Sequence, residues 1–144
     1  MKYFIDSSDL SLIENWRNKL GNSFAGITTN FSMIKGKEQM EKFLSKDLSR
    51  FKTIMIQIEN EEQLKVLVES PIENQLVAKM SMIEDKFKLI LASKKYSPLR
   101  TSATTCYGLI QINQAIEMGM DYSMVYYAKN NYKDLLADAV KLKK

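Results

Sequence analysis

Residues 73–85, ENQLVAKMSMIED, decide how this chain folds. Their centre, Leu76-Val77-Ala78-Lys79-Met80-Ser81, reads as a strand: a short apolar run interrupted by one lysine. Burying an ammonium is costly unless it is paired or neutralised. On its own the stretch is explained by a strand end whose amine snorkels to water. The rest of the chain weighs against that plain explanation.

Short apolar runs and amphipathic runs alternate on both sides of it. KYFID is a strand, followed by the helix SSDLSLIENWRNKLG with Ser or Asp as N-cap and Gly21 near its end. AGITTN, TIMIQIE, QLVAKMS, LRTSATTC and YSMVYYA are the later strands. GKEQMEKFLSKDLSRF, NEEQLKVLVES, EDKFKLILASKK, YGLIQINQAIEMG and NNYKDLLADAVKLKK are their helices, with Gly119 as a helix stop. The repeat is about two dozen residues, with the short connections of an α/β fold. Six successive βα units predict a parallel sheet with right-handed crossover helices, in one domain over residues 1–144. Such a sheet either curls as in a TIM barrel or stays open and doubly wound. FIDSSDL lacks the glycine-rich turn of a dinucleotide-binding fold, and no P-loop pattern occurs.

Composition narrows the chemistry. The chain has no histidine, which removes His triads, His general bases and His metal sites together. One cysteine, Cys106, rules out an internal disulfide framework and fits a reducing, cytoplasmic setting. No apolar run has the length of a membrane span or the form of a signal peptide. The net charge of +4 is dispersed rather than clustered, so no nucleic-acid partner is expected. A mild positive field also suits a phosphorylated or carboxylated small substrate.

In parallel α/β folds the functional face lies at the carboxyl ends of the strands. There the sequence places Asp6, Thr28 with Asn30, Gln57, Lys79, Thr104 and Tyr126. Each has a local explanation: an N-cap region for Asp6, a turn for Thr28 and Asn30, a half-buried aromatic for Tyr126. Gathered around one lysine, they describe a carbonyl-processing site. Desolvation lowers the pKa of a lysine in a partly apolar pocket, so that the free amine attacks a ketone. A water held by Gln57, Thr104 and Tyr126 supplies proton transfer, and Asp6 handles a substrate hydroxyl. Neither metal nor cofactor is expected.

MKYFID, GITTNFSMI, IMIQI, LVAKM, TSATTCYG and YSMVYYAKNN together resemble the fructose-6-phosphate aldolase and transaldolase family, in order and over essentially the whole chain. The resemblance implies a class I aldolase in which Lys79 forms the Schiff base and Asp6 transfers protons. It implies that Gln57, Thr104 and Tyr126 hold the catalytic water, as in the aldolase branch rather than in transaldolases proper. Asn30, Thr28 and Ser102 become substrate contacts, and Lys129 the basic residue facing a substrate phosphate. The expected partner is a small carbonyl compound or sugar phosphate.

Several positions depart from the family pattern. Phe31 replaces the proline of the strand-two turn, Met124 stands where relatives carry a small residue, and the helix between Gln57 and Lys79 is shortened. The family continues through two further βα units, so the expected fold is a TIM-barrel-like sheet truncated or rearranged relative to (β/α)8. Edge strands left open by such a sheet need cover, and a homo-oligomer is expected. Two functional classes follow: an active Schiff-base aldolase, or a non-catalytic relative or assembly subunit with an incomplete barrel.

Overall fold

A computed structural model describes residues 1–96 and 99–125, with positions 137 and 141 as isolated points. Six parallel strands form one sheet in sequence order: β1 (Tyr3–Asp6), β2 (Phe24–Thr28), β3 (Ile54–Gln57), β4 (Leu76–Ser81), β5 (Arg100–Cys106) and β6 (Tyr122–Val125). Between them run α1 (Leu10–Leu20), α2 (Gly36–Leu44), α3 (Glu61–Val68), α4 (Phe87–Ser93) and α5 (Leu109–Glu117). The sheet curls into a half-barrel. Strand order equal to chain order is the simplest consequence of repeated βα units, each crossing over to the next position. Tyr126, Lys129 and the expected sixth helix lie outside the described residues.

Local chemistry sets the helix boundaries. Asp9 caps α1 by accepting from the amides of Ser11 and Leu12. Asn60 caps α3 by accepting from Gln63 N, and Gln63 Oε1 reaches back to accept from Glu59 N at 2.6 Å. The helix expected from Gly36 to Phe51 stops at Leu44. Ser45 Oγ turns onto the Lys42 carbonyl, and Asp47 accepts from both the amide and the hydroxyl of Ser49. The chain then folds over so that Leu48 and Phe51 enter the core. Gln75, just before β4, pins this segment by donating to the carbonyls of Leu48, Ser49 and Phe51. A short 3₁₀ turn at Glu84–Lys86 replaces the expected first turn of α4.

Alternation along the strands divides the sheet into two faces. Ile27, Ile54, Ile56, Leu76, Ala78, Met80 and Ala103 face the helices, where they meet Ile13, Met40, Phe43, Leu64, Leu67, Ile90 and Ile112 in the main apolar core. The opposite, concave face carries a different set. Pairing puts Asp6, Thr28, Met55, Val77 and Arg100 on one level, and Gln57, Lys79, Ser102 and Tyr122 on the next. Met55 and Val77 are buried there, apart from the helix-side cluster. Below them Gly26 lies against β3: a Cβ would stand 2.1 Å from the Thr53 carbonyl oxygen. Only glycine fits that approach.

Candidate active site on the concave face

Lys79 sits on the third-from-last residue of β4 with 4% of its surface exposed. Its Nζ donates to Thr28 Oγ1 at 2.9 Å, two strands away. Thr28 is level with Met55, whereas Lys79 is level with Gln57. The lysine therefore leans across β3 and back by one level, instead of reaching out to water. Burial holds its pKa below the ordinary lysine range, and the nearby Asp6 carboxylate offsets part of that effect. The snorkelling explanation fails at this position.

The remaining sequence-predicted residues divide into groups. Asp6 is exposed at the end of β1 and level with Thr28, close enough for its charge to act on the amine. Gln57 is half-buried and directly beside Lys79 in register. Among the described residues, no hydrogen bond occupies the side chains of Gln57 or Thr104, which leaves both free for a ligand or water. Ser102, level with Lys79 on the other side, is fully buried, and among the described residues its hydroxyl has no hydrogen-bond partner. Asn30 is turned into its own loop: its Oδ1 accepts from the amide of Ser32 at 2.9 Å and from the Ser32 hydroxyl. That Asx turn orders the loop after β2. The structure thus brings Asp6, Thr28, Gln57, Lys79, Ser102 and Thr104 to one face, and leaves Asn30 Oδ1 committed to the loop.

Two features had no sequence signal. Arg100 donates to the Tyr122 hydroxyl at 3.1 Å on the concave face, where side-chain packing of this kind leaves no motif. Among the described residues Thr105 is the non-glycine residue with positive φ, at 57°, and it stands at an irregularity in β5. A β-branched residue in that region is a genuine outlier.

The arrangement provides an amine whose pKa burial lowers, a nearby carboxylate, a side-chain amide and three hydroxyls. It has the parts for nucleophilic addition to a carbonyl followed by proton transfers. Among the described residues no three His, Cys, Asp or Glu side chains gather as metal ligands. No helix among them is long and apolar enough to cross a membrane. The chain is thus an α/β half-barrel carrying a buried lysine at the carboxyl ends of its strands. A scan against protein-family models and a search of curated proteins each give no match to it.

Proposed function

We propose that the chain is a class I aldolase-like protein, related to the fructose-6-phosphate aldolase and transaldolase family, with Lys79 as its Schiff-base nucleophile. The observation that carries this reading is the buried Lys79 amine, held by Thr28 and kept below its ordinary pKa. The half-barrel corresponds, in this reading, to six of the eight units of a (β/α)8 barrel.

The Nζ lone pair adds to the carbonyl carbon of a small ketose or its phosphate, giving a carbinolamine that loses water to form an iminium. Asp6 accepts the proton of the substrate hydroxyl as the adjacent carbon–carbon bond breaks, releasing an aldehyde and leaving an enamine on Lys79. Protonation of the enamine and hydrolysis by a water on Gln57, Thr104 and Tyr126 return the free amine. Thr28, Ser102 and Asn30, through its Nδ2, contact substrate hydroxyls, and Lys129 faces a phosphate. No cofactor takes part in this scheme. The setting is cytoplasmic, and the partner is the small-molecule substrate rather than nucleic acid or membrane.

A homo-oligomer belongs to the same reading. Exposed Ile83, Leu91, Leu109 and Ile110 on and beside α4 and α5 support it, with Ile110 76% exposed. Sedimentation velocity reads the assembly state directly.

Proton NMR in deuterated buffer tests the chemistry, because an enamine exchanges the protons next to the carbonyl. Dihydroxyacetone should lose its methylene signal with the native chain and keep it with Lys79→Met. Equal loss with both proteins would contradict the reading.

A further inference from the structure

The pairing of β5 with β6 jumps: Ser102 meets Tyr122 and Ala103 meets Ser123, but Cys106 meets Val125. Thr104 and Thr105 therefore stand against Met124 alone, which makes a β-bulge with Thr105 as the residue at φ 57°. Its hydroxyl explains how a threonine is held there. Thr105 Oγ1 donates to the Thr104 carbonyl at 2.6 Å and accepts from the amide of Met82 at 3.1 Å. The same amide donates to the Thr104 carbonyl at 2.9 Å. The bulge is thus stitched to the chain leaving β4, the strand that carries Lys79.

The bulge resets the alternation of the strand. Before it, Ser102 and Thr104 take the lysine side and Ala103 the helix side. Without an extra residue, Cys106 would follow Ser102 and Thr104 onto the lysine side. Instead it is fully buried in the helix-side core, and the Ser123 hydroxyl donates to its Sγ at 3.4 Å.

We propose that Thr105 is a positioning residue: its bulge shifts the phase of β5 between Thr104 and Cys106, so that Thr104 stays on the lysine side while the thiol of Cys106 is kept in the helix layer. Thr105 itself touches no substrate. The catalytic half of this inference rests on the Schiff-base reading; the structural half does not.

Thr105→Val tests both halves, because it keeps the branched shape and removes both hydroxyl bonds. Thr105→Gly accepts the positive φ without strain and serves if the valine variant fails to melt cooperatively. The first readout is the rate at which an uncharged maleimide modifies Cys106 in the native protein. The second is the rate of borohydride-trapped adduct formation on Lys79 with dihydroxyacetone. Loss of the anchoring bonds should speed labelling and slow adduct formation by about tenfold each. Thr105→Ser should restore both rates. Thr104→Val should slow adduct formation to the same degree, with no further loss in the double variant, as expected when one residue acts through the other. Unchanged labelling in the valine or glycine variant overturns the proposal. Faster labelling with unchanged adduct formation overturns the positioning of Thr104. If the native chain forms no adduct, the Schiff-base reading falls, and the labelling rate still decides the role of the bulge.

Discussion

The amine of Lys79 lies 2.9 Å from the hydroxyl of Thr28, across the intervening strand β3. A strand-end lysine that only served solvation would run the other way. The bond fixes where a nucleophile would wait, and it ties β4 to β2 through side chains on the concave face.

Removing the hydroxyl by Thr28→Val should leave the amine without this partner. Loss of a hydrogen bond to the charged form depresses the lysine pKa further. The pH midpoint of adduct formation should lie below 10.5 in the native chain and move lower still in the variant. Poorer placement of the amine should cut the plateau rate by about tenfold. Thr28→Ser should behave like the native chain, and rate against pH by quenched trapping checks each point.

Lys79→Met should raise the melting temperature at neutral pH by a few degrees. A folded-state pKa below 10.5 means that the unfolded chain binds the proton more readily. The native lysine therefore costs stability below its folded pKa, and that cost fades as pH rises toward 10.5. The advantage of methionine should shrink over the same window. Calorimetry of both proteins between neutral and alkaline pH follows it.

Ser102→Ala should stabilise the ligand-free protein by about 1 kcal/mol, because it removes a buried hydroxyl that no group among the described residues satisfies. If Ser102 serves a substrate, the same variant should bind dihydroxyacetone less well. Paired urea melts and titrations separate the two effects.

Gly26→Ala should destabilise the fold by about 2–4 kcal/mol, since the new methyl would meet the Thr53 carbonyl that accepts from Ile27 N. Gln75→Ala loses three carbonyl contacts at the base of β4 and should cost about 1–3 kcal/mol. Urea unfolding monitored at the single tryptophan, Trp16, reads both.

The strands and the lysine face were legible because period-two alternation forces Asp6, Thr28, Gln57, Lys79 and Thr104 onto one side once the sheet is parallel. The end of α2 was not, because the segment from Ser45 to Phe51 keeps a helix-like spacing of apolar residues. Its local side-chain bonds to the backbone compete with the helix, and the grip of Gln75 on it is a long-range fact. The bulge at Thr105 escaped for a similar reason. Nothing in SATTC distinguishes an ordinary threonine from one held at positive φ by a neighbouring strand. Asn30 was read as a substrate contact through the family resemblance, beside a local turn reading, and its Oδ1 takes the turn role by bonding Ser32 twice.

Borohydride trapping tests the central claim most directly. The folded chain is incubated with dihydroxyacetone, hydroxyacetone or fructose 6-phosphate, reduced, and read by intact mass and peptide mapping beside Lys79→Met. A reduced adduct on the peptide carrying Lys79, absent from the variant, is the predicted result. No adduct from any of the three ketones, in protein that still melts cooperatively, would contradict the account.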